Sequence, residues 1–169
     1  DEAEVLLNAA PMHDVGKIGI PDRILSKQGP LTKAEWKLMR RHPEMGAEII
    51  GVHDSDVLRM AREIALTHHE RWDGTGYPGG LAGEAIPFTG RVVALADVFD
   101  ALTTRRPYKE AWTIEDSMIY IREMSGSQFD PRLVPAMERA LPEIVELSRE
   151  YAEDGSMATS LMAAGDAAD

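Results

Sequence analysis

The run RVVALADVFDALTTR, residues 91–105, is the most apolar segment of the chain, and it reads as a helix. Asp97 sits within it, among residues that should all be buried. An unpaired carboxylate there would cost on the order of several kcal/mol or be forced to protonate. Something must compensate it: a salt bridge to Arg91 or Arg105, or a positive charge from elsewhere in the fold. Working outward, residues 72–87 are dominated by glycine and proline and form a long loop. Before that loop a helix spans Asp56–His69, with Val57, Met60, Ile64 and Leu66-Thr67 near its buried side. Thr32 and Glu35 form a capping-box signature that opens a helix running through Ile50. GKIGIPDRILSKQGP, residues 16–30, reads as a loop, and residues 1–12 read as a helix bent at its end by Pro11. After the apolar run one helix starts near Thr113, and Asp130-Pro131 supply the N-cap and first residue of the last. No strand alternation persists and nothing repeats, so the expected fold is all-α.

The chain has 169 residues, the size of one ordinary domain. It is 44% hydrophobic and 28% charged, with no apolar run long enough to span a bilayer. It has no cysteine, which excludes disulfides, thiolate zinc sites and cysteine nucleophiles. Any metal site must then come from histidine and carboxylate, and the composition fits a reducing cytoplasm. The net charge of −11 argues against DNA and against anionic membranes, because no global positive field gathers a polyanion. An anionic substrate needs local cations. The opening residue, Asp1, suggests a piece of a longer protein, and the tail 151–169, rich in Ala, Gly, Ser and Asp, is expected to be disordered.

Five histidines are distributed unevenly. Two stand side by side in HHERWDGTGYPGG, residues 68–80; His13 precedes Asp14 in MHDVGK; His42 lies directly before Pro43. Taken singly, each has an ordinary reading: a His-Asp dipeptide as a cap or turn, a histidine at a helix C-terminus meeting the dipole. His53, in the polar turn GVHDSD, is left out of the site on that ground. Jointly, His13, Asp14, His42, His68, His69 and Asp97 suit a metal centre, because imidazole and carboxylate together bind iron, manganese, zinc or nickel. Asp14 has a second oxygen with which to bridge two ions. If His68 and His69 end a helix they point about 100° apart and serve neighbouring ions more easily than one.

HDVGKIGIPD, HHERWDGTGYP and ALADVFDALTTRRPYK, taken in order, resemble the successive signatures of the HD-GYP family, a branch of the HD metal-dependent phosphohydrolases. The resemblance implies an HD-type helical bundle over residues 1–150 with two or three divalent metals, iron or manganese before nickel or zinc. It implies hydrolysis of cyclic di-GMP to pGpG or GMP. Its ligands would be His13, Asp14, His42, His68, His69 and Asp97, with Asp14 and Lys17 closest to the chemistry. Lys17, Arg106 and Lys109 would hold the cyclic dinucleotide. Gly76, Tyr77 and Pro78 form the namesake loop, where Tyr77 could stack on guanine or meet a diguanylate cyclase domain. Such domains are output modules of bacterial signalling proteins, placed after a receiver or sensor domain. Two alternatives remain: a catalytically silent module that docks a partner through the loop, and an HD hydrolase of another nucleotide.

The family pattern includes a further histidine, often with a glutamate four residues before it, on a helix upstream of the His-Asp pair. Here no histidine precedes His13, and Glu2 and Glu4 are the only glutamates ahead of it. The domain is therefore expected to be N-terminally incomplete, with a partial metal shell and slow turnover that an upstream segment would restore.

Overall fold

The computed structural model describes residues 1–104 and 110–148. Among these there are helices and turns, with two isolated bridges, Asp73 to Ala82 and Ser125 to Phe129, in place of any strand. None of the described helices is long and apolar enough to cross a membrane. The chain divides into two compact units, Asp1–Val134 and Pro135–Asp169. Every site residue discussed below lies in the first. In the second, the described residues 135–148 are helical.

Helix α1 (Glu2–Ala9) opens on a full capping box in which the Asp1 side chain accepts the Glu4 amide at 2.8 Å. Pro11 then tightens the chain into a 3₁₀ turn, Ala10–Met12. The segment read as a loop from Gly16 holds a second 3₁₀ stretch, Val15–Gly19, and a single helical turn, α2 (Asp22–Leu25). The Thr32–Glu35 capping box is present, but the helix it opens does not reach Ile50. It breaks into α3 (Lys33–Met39) and α4 (His42–Ile50). Proline is the cause. Pro43 has no N–H to give the Met39 carbonyl, and that carbonyl instead accepts from His42 Nδ1 at 2.8 Å. The break thus places and orients the histidine.

Helix α5 (Asp56–Thr67) is the central element, packing against α1, α4 and α6 (Phe88–Thr103), while α7 (Ile114–Glu123) packs on α6. Ala61, Ile64 and Ala65 of α5 are fully enclosed and meet Ala9, Ile50 and Val93 in the core. Burying a side chain such as Ile64 contributes about 2–3 kcal/mol. Small residues let two elements come closer than side chains would allow. A Cβ on Gly16 would lie 1.9 Å from the His42 carbonyl oxygen, so only glycine lets the Val15–Gly19 turn press against α4. Thr113 caps α7 through the Asp116 amide, 3.0 Å away. Asp130 begins the last helix later than its Asp-Pro signature suggests: the helical residues start at 133. Its carboxylate accepts the Arg132 amide and also pairs with Arg91 at 2.6 Å and with the Arg132 guanidinium. Arg91 is therefore committed to Asp130, and does not compensate Asp97.

Candidate metal centre

Three local devices aim imidazoles at one point. In the turn after α1, His13 Nδ1 donates to the Ala10 carbonyl at 2.8 Å. His42 Nδ1 donates to Met39, as above, and His68 Nδ1 donates to the carbonyls of Ile64 and Ala65 at 3.0 and 3.1 Å. A ring nitrogen that close to a carbonyl oxygen carries the proton, which leaves Nε2 of each neutral ring as a bare lone pair. Those lone pairs converge on Asp14. Its Oδ1 is 3.3 Å from His42 Nε2 and 3.8 Å from His68 Nε2, while Oδ2 is 3.3 Å from His13 Nε2 and hydrogen-bonded to Lys17 Nζ.

Asp14, His42, His68 and His69 each offer one ligand atom, and these atoms lie within 4.8 Å of one another. His42 Nε2 and His68 Nε2 are 3.4 Å apart. Asp14 Oδ1 is buried and has no hydrogen-bond donor. A buried carboxylate oxygen facing two acceptor nitrogens is an arrangement that a cation relieves and a proton cannot fully relieve, so the donor set fits a divalent transition ion. Asp97 stands at the edge of the group, its Oδ1 3.8 Å from His13 Nε2. It is not enclosed as the sequence implied: 30% of its side chain is exposed, because α6 turns this face toward the cleft.

His68 is the C-cap of α5 and His69 follows it in the turn. The two rings lie 4.0 Å apart, and both belong to the same four-residue group, a convergence opposite to that expected for consecutive helical residues. Burial, then repulsion from His68, pushes His69 down to about 2, and burial also lowers His42. His13 is raised, chiefly by its hydrogen bond to Asp14. Asp14 would be raised by burial, but His13, His68 and Lys17 together hold it well below the usual carboxylate range. The group thus holds Asp14 ionised and keeps His42 and His69 neutral near neutral pH, the protonation states that metal ligands require.

The glycine-rich loop covers this group. Tyr77 stacks on His69 with ring centroids 4.8 Å apart and planes 24° apart, and burial raises its hydroxyl to about 12. Gly76 is required at its place, since a Cβ would fall 2.4 Å from the Arg71 amide nitrogen and 2.6 Å from the His69 carbonyl. Glu70, 3% exposed, accepts the Gly79 amide at 2.6 Å and the Leu81 amide at 3.0 Å, tying the loop to the end of the histidine pair. Its role has no periodic signal in the sequence, only an acid adjacent to the histidines. Trp72 packs between Arg91 and Arg132, at 5.8 and 5.5 Å, and so supports the base of the loop. His53 is exposed and outside the group. Arg106, Lys109 and the tail 151–169 lie outside the described residues.

The bundle and its His/Asp cluster define a class: a helical protein whose histidine and aspartate side chains, gathered from helix ends and the turns beside them, could hold a metal ion. The sequence profile of the HD domain family matches residues 2–133, and the chain belongs to that family of metal-dependent proteins. It is 46% identical over 151 residues to the cyclic di-GMP phosphodiesterase response regulator RpfG of Xanthomonas campestris, covering 89% of this chain and 40% of that one. It is 48% identical over 149 residues to a cyclic di-GMP phosphodiesterase of Thermotoga maritima (88% and 40%). A third relative, at 45% over 146 residues (86% and 28%), is a 3'3'-cGAMP-specific phosphodiesterase of Vibrio cholerae. The crystal structure of a cyclic GMP-AMP-specific phosphodiesterase of V. cholerae has the same fold, with TM-score 0.59, 22% identity and coverage of 87% of this chain and 40% of that one. The chain spans two fifths or less of the length of these relatives.

Proposed function

We propose that this chain is the catalytic domain of a metal-dependent phosphodiesterase that hydrolyses cyclic di-GMP to pGpG or GMP, as the output module of a larger bacterial signalling protein. The observation that carries the reading is Asp14 Oδ1, buried without a donor between the bare Nε2 atoms of His42 and His68. His42, His68, His69 and Asp14 Oδ1 would hold one ion; His13, Asp97 and Asp14 Oδ2 would hold a second, making Asp14 the shared ligand. Iron or manganese suits this mixed imidazole and carboxylate set, with nickel and zinc as competitors. Ions bound there would supply charge neutralisation at phosphorus and activate a water for in-line attack.

The chain's own groups do the rest. Lys17, hydrogen-bonded to Asp14 Oδ2, keeps an ammonium beside the reacting position and can shift to a phosphate oxygen as charge develops there. The Nδ1 bonds of His13, His42 and His68 to backbone carbonyls fix the tautomer that leaves Nε2 free for a metal. Tyr77, stacked on His69, shields one side of the site from water. Arg106 and Lys109 would grip phosphate, and the Gly76–Pro78 loop would meet a diguanylate cyclase domain. Incubation of metal-loaded chain with cyclic di-GMP, with products resolved by chromatography, tests the reading; failure to cleave it under any of the four metals would overturn it.

One observation favours a second reading: a relative named for 3'3'-cGAMP matches almost as well as those named for cyclic di-GMP. Parallel assays on both dinucleotides decide the base preference by the ratio of kcat/KM values.

A further inference from the structure

Arg40 ends α3, two residues before His42. Its guanidinium carbon lies 5.0 Å from the centroid of the Tyr77 ring and 6.0 Å from that of Trp36, and Tyr77 in turn lies 4.8 Å from His69. The guanidinium is thus separated from a proposed ligand imidazole by no more than those two successive ring spacings. Packing over aromatic faces leaves the in-plane N–H groups of an arginine available, in a fork that matches phosphate oxygens. Nothing else claims that fork. Arg40 has no carboxylate partner among the described residues, a state it shares with Arg23, Arg41 and Arg62, but of these four it is the one packed over Tyr77 beside the histidine cluster. An unpaired arginine held by aromatic rings at the edge of the metal centre is a preorganised anion contact.

We propose that Arg40 is a substrate-binding residue whose guanidinium takes the second phosphate of the cyclic dinucleotide, the one not positioned for cleavage. The inference rests on the phosphodiesterase reading. A cyclic dinucleotide carries two phosphodiesters in one ring, and while one occupies the metal centre the other must find a cation beyond it. Tyr77 lies between the two positions, its ring packed against both His69 and the Arg40 guanidinium. The same contact would discriminate against diesters that carry a single phosphate.

The test compares wild type, Arg40→Gln and Arg40→Lys, all metal-loaded, on cyclic di-GMP and on bis(p-nitrophenyl) phosphate, a diester with one phosphorus. Binding of cyclic di-GMP is followed separately, in the metal-free chain, by tryptophan fluorescence. Loss of one charge-assisted contact should weaken cyclic di-GMP binding and raise its KM about 10- to 100-fold, with kcat little changed and bis(p-nitrophenyl) phosphate turnover unaffected. Arg40→Lys should recover part of the loss. Equal losses on both substrates would show that Arg40 only holds Tyr77 in place and would overturn the assignment, as would an unchanged KM for cyclic di-GMP. If wild type cleaves bis(p-nitrophenyl) phosphate but neither binds nor cleaves cyclic di-GMP, the cyclic dinucleotide reading itself fails, and the role of Arg40 falls with it.

Discussion

Asp14 is where the site's electrostatics are concentrated, one oxygen turned to His42 and His68 and the other to His13 and Lys17. Asp14→Asn keeps the shape but removes the charge, and it should lower metal affinity by more than the roughly 10- to 100-fold typical of groups that merely support a ligand. Competition against a chromophoric chelator would measure it. The histidines make a second prediction, for the metal-free chain. His69 is depressed to about 2 and His42 is also lowered, so the folded state resists protons that the unfolded chain accepts near pH 6.5. Stability should therefore fall as pH drops below about 6.5, by up to roughly 1 kcal/mol per pH unit for His69. His13, raised, acts in the opposite sense: its contribution is present below about 6.5 and is lost as pH rises through its higher folded value. Denaturant titrations between pH 4.5 and 8 would show the net slope, and His69→Gln should flatten it. The histidines and Asp14 were legible in the sequence because these residue types are few and paired. Glu70 was not, since its partners are backbone amides nine and eleven residues on, brought back by the turn of the loop.

The elements set the geometry through interruptions rather than regular structure. The expectation of one helix from Thr32 to Ile50 missed the break at Arg40–Arg41, although Pro43 was visible. A proline tolerated at the start of a helix and one breaking a helix look alike until the freed carbonyl's new partner is known, and here it is His42. The close contact of the Val15–Gly19 turn with α4 was likewise hidden, because a glycine in a loop carries no sign of what it approaches. Gly16→Ala should force that turn away from His42 and destabilise the fold by about 3 kcal/mol, with loss of the metal site. Calorimetry and metal content would check both. Glu70→Gln keeps one acceptor oxygen, so it should leave one of the Gly79 and Leu81 amides without a partner and cost about 1–3 kcal/mol, read as faster hydrogen exchange at that position while the α5 core stays protected.

At the scale of the molecule, the sequence conveyed the helical class and the order of the elements, since apolar runs at helical spacing and capping residues are local signals. It could not convey which helix is central. That α5 carries the core follows from Ala61, Ile64 and Ala65 meeting three other helices, a fact of packing rather than pattern. The net charge of −11 also takes on a local meaning: most of the described carboxylates are exposed, while Lys17 and Arg40 stand beside the histidine cluster. Binding of a metal to the folded chain alone should couple to global stability, adding about 2.7 kcal/mol at a free concentration 100 times the Kd. The central claim is tested most directly by the products formed from cyclic di-GMP by the manganese- or iron-loaded chain, set beside Asp14→Ala. The account predicts pGpG or GMP from the wild type and neither from the variant, whose metal content also falls. Undiminished hydrolysis by Asp14→Ala would contradict it.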